Sequence, residues 1–404
     1  MEYRIEMLWS ALILLAVLVI FTLGKSPIFR VDRAGAAIIG AVATVGTGVL
    51  SFPEAILAVD FRTVIILFSM MIVVANLKLA GFFELMGNAV CQHVNSKKQL
   101  LFAIIMVSGI MSALAINDIV CLLFTPVVLF ICKKTQCNPL PHLLGVAMAS
   151  NIGSAATLLG NPQNILVGSL STLSFFAYFI AASPVALIGL LATYAAITYY
   201  YREELKGSYF PVPVHNTTVH RYLLIKTFII LFSVLFAYMS GYDLALSASL
   251  GGALLLITRR VKPNKVYTSV DFNLLIIFIG LFIVVAGIEH SGLMNMLLNH
   301  LFVGEINNMG LFATLTLIVS NIVSNVPAVL LLKFLIPSAN ADYWWKALAL
   351  FSTLAGNLTI TGSIANLIVV EIAKGEQVQI TARDYFKVGF PLTLLTTAIG
   401  VLWL

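Results

Sequence analysis

Long apolar runs separated by short polar breaks dominate the chain. The runs at residues 8–23, 64–77, 274–288 and 311–319 predict helices in a bilayer, which takes about 20 residues to cross. Two stretches depart from the pattern. Residues 150–167 read SNIGSAATLLGNPQNILV, and residues 352–369 read STLAGNLTITGSIANLIV. At an offset of 202, Ser150, Thr157, Gly160, Asn164 and Val167 fall on Ser352, Thr359, Gly362, Asn366 and Val369. Polar segments broken by Gly or Pro at matching places in two halves of a hydrophobic chain predict paired discontinuous helices around a transporter's binding site.

The repeat extends further. Residues 60–81 align without gaps on residues 271–292 at an offset of 211, with nine of 22 pairs identical. The same offset puts Asp32 on Asp243 and Gly40 on Gly251, and an offset of 208 puts residues 112–117 (SALAIN) on residues 320–325 (SNIVSN). The expected fold is therefore an all-α polytopic membrane protein with about 10 transmembrane helices in two inverted repeats of five. Spans are expected at 8–23, 34–50, 62–80 and 174–200, with a broken one at 141–170. Their counterparts are 222–240, 243–258, 272–290 and 386–404, with a broken one at 346–370. Each half also carries a re-entrant hairpin, near 99–132 and 310–336, polar at its middle and with arms too short to span. Residues 1–201 and 222–404 form the repeats of one membrane domain, and residues 202–221 form a cytoplasmic linker.

An odd number of spans turns the second half upside down, and charge tests this. Of the 23 Lys and Arg, this topology leaves Arg4, Arg62, Lys333 and Lys346 on one side, Lys78 near a span end and the other 18 on the opposite side. Basic loops stay cytoplasmic, so both termini are expected outside the cytoplasm and the sequon at Asn216 inside it. Residues 1–9 are weakly charged and residues 24–29 offer no cleavage site, which predicts an uncleaved first span in a plasma (inner) membrane.

Composition agrees with a membrane solvent: 60% hydrophobic and 10% charged residues, with a mean hydropathy of +1.02. The net charge of +6 sits in short loops, the membrane pattern and not a nucleic-acid-binding one. Cys91, Cys121, Cys132 and Cys137 form no CxxC pair and read as packed thiols, and no metal site is expected. His290 and Lys78 read as interfacial, as do the aromatic clusters 199–201 and 343–345.

The polar residues left inside the membrane form one constellation. The first hairpin contributes Asn117 and Asp118, and the second contributes Asn321, Ser324 and Asn325. The broken spans contribute Asn151, Ser154, Thr157, Gly160, Asn161, Gln163 and Asn164, and then Asn357, Thr359, Thr361, Gly362, Ser363 and Asn366. Half-helix N-termini favour an anion, while freed carbonyls and Asn, Ser and Thr oxygens suit a small cation. Asp118 is the carboxylate placed well inside a hydrophobic segment, a natural carrier of H⁺ or Na⁺. It could equally cap the second helix of its hairpin.

Three strings carry a resemblance over essentially the whole chain: Asn117-Asp118, Ser324-Asn325-Val326-Pro327 and Gly160-Asn161-Pro162-Gln163-Asn164. The chain resembles the ion-transporter superfamily of arsenite-efflux permeases, NhaD-type Na⁺/H⁺ antiporters and divalent-anion/Na⁺ symporters with citrate-transporter-like domains. The resemblance implies a homodimer built on a scaffold region and elevator-like alternating access. Divalent-anion symporters carry Ser-Asn-Thr at their hairpin tips; the Ile-Asn-Asp tip here favours the arsenite-permease and antiporter side.

The expected function is a secondary active transporter of a small anion or oxyacid, an inorganic oxyanion such as arsenite or a carboxylate, coupled to H⁺ or Na⁺. Asp118 would carry the coupling ion, and the constellation would line the substrate site. The alternative is a Na⁺/H⁺ antiporter. No HExxH, GxSxG or Walker motif occurs, so no enzymatic chemistry, catalytic residue or cofactor beyond the coupling ion is expected, although a separate ATPase partner is left open.

Overall fold

The computed structural model describes residues 2–26, 28–207, 219–258, 261–294, 296 and 307–404. Asn216, Arg259 and Arg260 lie outside these residues. Among the described residues the protein is all-helical, apart from one bridge between Lys25 and Asp32. The first half runs through α1 (Glu2–Leu23), α2 (Arg33–Gly46), α3 (Phe52–Ala58), α4 (Phe61–Leu79), α5 (Phe82–His93), α6 (Lys97–Leu114), α7 (Asn117–Thr135), α8 (Pro139–Ser154), α9 (Pro162–Leu170) and α10 (Phe175–Tyr200). The second has α11 (Arg221–Met239), α12 (Leu244–Leu256), α13 (Pro263–Tyr267), α14 (Phe272–His290), α15 (Met309–Val323), α16 (Asn325–Leu332), α17 (Ala341–Leu354), α18 (Ile364–Gly375) and α19 (Ala382–Trp403).

Local sequence explains where these helices start. Asp32 accepts from the backbone N–H of Gly35 at the start of α2, and Asp243 accepts from that of Leu246 at the start of α12. Both caps satisfy amides that a helix N-terminus leaves free, and they lie 211 residues apart. Asp271 caps α14 in the same way through Leu274.

Among the described residues seven helices, α1, α4, α6, α10, α11, α14 and α19, are long and apolar enough to cross a membrane. Two expected spans are shorter than predicted: α2 has 14 residues and α12 has 13. The hairpins also differ from expectation. The second has short arms of 15 and 8 residues, but α6 has 18 and α7 has 19. At about 1.5 Å per residue, α6 extends about 27 Å, close to the apolar thickness of a bilayer. The turn at Ala115 and Ile116, just before the polar Asn117 and Asp118, ends α6 as expected, but the apolar run before it is long enough to reach across.

Packing pairs recur between the halves. α2 packs on α14 and α12 on α4; α6 packs on α8 and α15 on α17; α8 packs on α10 and α17 on α19. The first-half hairpin helix α7 lies against α18, and the second-half α16 lies against α9. The α6–α8 contact is the closest in kind: a Cβ at Gly153 would overlap the backbone of Gly109, so the two main chains touch without a side chain between them. Exposed apolar residues form rows on the outer helices, as Leu8, Leu12, Leu15 and Val19 do on α1, which suits a hydrocarbon solvent.

Candidate functional site

The two polar stretches are helix breaks. α8 stops at Ser154, and α9 restarts after Asn161, whose side chain accepts from the backbone N–H of Asn164, with Pro162 in the first helical position. Proline there loses no helical hydrogen bond, because that amide has no intrahelical partner. In the second half α17 stops at Leu354, two short 3₁₀ turns follow (Ala355–Asn357 and Ile360–Gly362), and α18 starts at Ile364. Ser363 makes no side-chain cap there.

A break inside a membrane frees carbonyls that need donors. One asparagine per half supplies them. Asn164 Nδ2 donates to the carbonyls of Thr157 at 2.9 Å and Ser154 at 3.4 Å. Asn366 Nδ2 donates to the carbonyls of Thr359 at 3.2 Å and Gly356 at 2.7 Å. Each donor reaches back 7 and 10 residues, and all three positions match at the offset of 202. The oxygens of these amides are bound reciprocally. Thr353 Oγ1 from the second half donates to Asn164 Oδ1 at 3.0 Å, and Asn151 Nδ2 from the first half donates to Asn366 Oδ1 at 3.0 Å. Thr353 and Asn151 are themselves 202 residues apart.

Around this lock the network is dense. Asn151 Nδ2 also donates to Asn357 Oδ1 at 2.9 Å, and Asn151 Oδ1 accepts from Asn117 Nδ2 at 3.1 Å and Ser363 Oγ at 3.0 Å. Asn161 Nδ2 donates to Ser154 Oγ and to Thr353 Oγ1, both at 3.0 Å. Thr157 Oγ1 donates to the carbonyl of Ala113 at 2.6 Å. The hairpin tips dock on the breaks: the backbone N–H of Asn117 donates to the Gly160 carbonyl at 2.9 Å, and Asn325 Nδ2 donates to the Gly362 carbonyl at 3.1 Å. Asn325 Oδ1 accepts from Gln163 Nε2 at 3.2 Å.

The breaks differ in access. Residues 150–168 are all buried, and Tyr178 of α10 closes them over, donating to the Ala155 carbonyl at 2.7 Å while accepting from Asn164. The second break exposes Thr361 and leaves Thr359 and Ile360 half-buried. Thr359 Oγ1 donates to Asn321 Oδ1 at 2.9 Å, which brings the second hairpin to this opening. At the tip of that hairpin Ser324 has φ 74° and ψ 159°, a backbone state held almost only by glycine and costing of order 1–3 kcal/mol for other residues. Its side chain is half-buried, and the next residue, Asn325, reaches the second break through the Gly362 carbonyl.

Asp118 does not join the amide network. It lies in the first turn of α7 and lines a separate cleft of about 70 Å³ with Lys78, Ser269 and Asp271. The backbone N–H of Ala365, in the first turn of α18, is directed at its carboxylate. The Arg33 guanidinium and the Asp271 carboxylate are both near enough to act on it electrostatically. So Asn117, Asn151, Asn357, Ser363 and Asn366 come together, as do Asn161, Asn164, Thr157 and Asn325, while Asp118 sits on the other side of the α7 N-terminus.

Thr353, Tyr178 and Cys121 belong to the site and do not stand out in the sequence. Cys121, one turn beyond Asn117, has its Sγ 2.9 Å from Ser150 Oγ. For Thr353 a signal existed, its position 202 residues from Asn151.

Known proteins resemble this arrangement over nearly its full length. Residues 16–355 match the family described as citrate transporter. Silicon efflux transporter LSI3 of Oryza sativa subsp. japonica is 27% identical over 93% of this chain and 93% of its own. The arsenical pump membrane protein of Escherichia coli is 23% identical over 89% of this chain and 90% of its own. Among solved structures, the Alcanivorax borkumensis YdaH transporter shares the fold, with a TM-score of 0.59 at 12% identity over 98% of both chains.

Proposed function

The chain belongs to the citrate transporter family and is a membrane transporter, not an enzyme; from that premise we propose that it is a secondary active transporter of a small anion or neutral oxyacid, coupled to H⁺ or Na⁺. The supporting observation is the division of labour between an open polar break and a separate carboxylate. At the second break Thr359, Thr361, Asn321 and Ser324 present hydroxyl and amide groups to an opening, which suits an oxyacid such as silicic or arsenious acid, or a carboxylate. Asp118 sits behind that break, at the N-terminus of α18, so the charge state of its carboxylate acts directly on the helix that forms one wall of the substrate opening. Asn164 and Asn366 have the role of holding the breaks in shape, and Asn117, Asn151, Asn325 and Asn357 link the halves around them.

In this reading the two halves are inverted repeats joined by residues 202–221, the protein sits in the plasma membrane as a homodimer, and both termini face away from the cytoplasm. The recurring helix pairs and the basic loops support that topology.

The test is uptake into proteoliposomes of arsenite, silicic acid, sulfate and citrate, under an imposed proton or Na⁺ gradient. At least one should accumulate against its gradient in the wild type, and Asp118→Asn should abolish the gradient dependence. Unchanged coupled uptake in that variant would refute the assignment of Asp118. A Na⁺/H⁺ antiporter is the second reading. It is favoured by Asp271, which puts another carboxylate in the cleft with Asp118. Sodium-driven proton flux with no anion present would select it.

A further inference from the structure

A sizeable cavity lies away from the breaks. It is a cleft of about 650 Å³ where the end of α4 meets the start of α11 and the segment leading into α13. Leu79, Val219 and Leu223 form its apolar wall, and His220, Arg221, Lys262 and Lys265 give it positive charge. The backbone N–H of His220 donates to the Ala80 carbonyl at 3.1 Å, which fixes this wall to the end of α4. Among the described residues none of the four basic side chains is in an ion pair. The sequence offers them little relief, since residues 205–242 and 244–270 contain no Asp or Glu. Lys226, one turn further along α11, is differently placed: its ammonium donates to the carbonyls of Leu254 and Ile257, both at 2.6 Å.

A second observation extends the cleft. Tyr222, at its rim, begins a row on α11 that continues through Ile225, Ile229, Phe232 and Phe236, each more than half exposed. The spacing of three and four residues puts them on one face of the helix. An uncompensated cationic cleft that opens onto an apolar helix face suits a molecule with an anionic head and a hydrocarbon tail. We propose that this cleft binds the phosphate-bearing headgroup of an anionic phospholipid, with the acyl chains lying along the exposed row of α11. Basic pockets between transmembrane helices hold such headgroups. A free phosphate would make no use of the row. A second copy docked through the same face would bring the two cationic clefts together, because a two-fold interface sets a patch against itself.

The test uses the purified full chain in detergent and native mass spectrometry. Dioleoylphosphatidylglycerol should stay bound where dioleoylphosphatidylcholine is lost. Lys262→Gln with Lys265→Gln should weaken the anionic lipid about 30-fold, at roughly a factor of five per lysine, while the double arginine variant keeps it. Ile229→Ser should weaken it as well and leave the protein's oligomeric state unchanged. Should the double glutamine variant lack folded protein, Arg221→Gln reports on the same charge. Equal retention of the two lipids, or wild-type retention by the glutamine variants, overturns the proposal. Displacement of the lipid by millimolar inorganic phosphate identifies a soluble-anion site instead, and dissociation of a dimer by Ile229→Ser with lipid binding intact identifies a copy interface; either also overturns it.

Discussion

The two helix breaks are built on the same plan and end in different states. In each, an asparagine two residues past the helix restart reaches back 7 and 10 residues to free carbonyls, and a residue of the other half holds its oxygen. Yet the first break is buried throughout, whereas the second is open at Thr361. The difference lies in what surrounds them. Asn161 and Pro162 let α9 restart in regular form, and Tyr178 covers the turn. The second break has Ile364 where Pro162 stands in the first, no side-chain cap, and a shorter hairpin beside it. Symmetry thus fixes how a break is held, and local departures from symmetry fix which break is exposed.

The largest effect expected from breaking this comparison comes from glycine. A Cβ at Gly160 would overlap the Ser154 backbone, which cannot retreat, so Gly160→Ala should cost about 3 kcal/mol or more and sharply reduce folded protein in size-exclusion profiles. A Cβ at Gly362 would meet Asn321 Oδ1 at 2.6 Å, a side-chain atom that can shift by giving up its bond from Thr359, with the Ala355 carbonyl further off at 3.3 Å. Gly362→Ala should therefore fold, at a cost of about 1 kcal/mol, and lose transport. Equal loss of protein in both variants would contradict the sealed-versus-open distinction.

Next in size is removal of the asparagines. Asn164→Ala leaves two buried carbonyls without donors and should cost about 3 kcal/mol, while Asn366→Ala, whose acceptors are the buried Gly356 and the half-buried Thr359, should cost about 2 kcal/mol. Thermal unfolding in one detergent ranks them, and the reverse order would remove access as the explanation. Smaller still, Ser324→Gly should raise stability by about 1 kcal/mol through relief of its backbone strain, with slower uptake if that strained tip serves the open break.

The smallest effect lies at the periphery of the second half. The backbone N–H of Leu246, and then the Arg62 guanidinium, hold the Asp243 carboxyl below the usual carboxylate range. A lowered native value means its stabilisation is full above about pH 4 and is lost as pH falls through that value. Both partners are well exposed, so Asp243→Asn should cost less than about 1 kcal/mol at neutral pH and flatten the acid limb of the unfolding midpoint against pH.

Much of this comparison was legible in the sequence, because helix breaks demand Gly, Pro and side-chain amides, and those residues repeat at a fixed offset. The offset even carried the reciprocal Asn151 and Thr353. The hairpin tips were legible for the same reason. Lengths were less so: apolar sequence before Ala115 reads alike whether an arm turns back or reaches across, and α6 reaches further than its polar tip suggests. The helices α3 and α13, of 7 and 5 residues, are too short to leave a period. Direction was the hardest to read. Successive residues on a helix point about 100° apart, so Asn117 and Asp118 share a motif but face an amide network and a charged cleft respectively.

The bare backbone contact between Gly109 and Gly153 has a mechanical consequence. Where Gly153 crosses Gly109 no side chain lies between the main chains, while Leu101 and Ile105 of α6 pack over Gly145 of α8 further along the same pair. α6 and α8 meet there main chain to main chain, and the Asn117–Gly160 hydrogen bond ties the start of α7 to the first break. A displacement of one of these two helices therefore draws the other along with it.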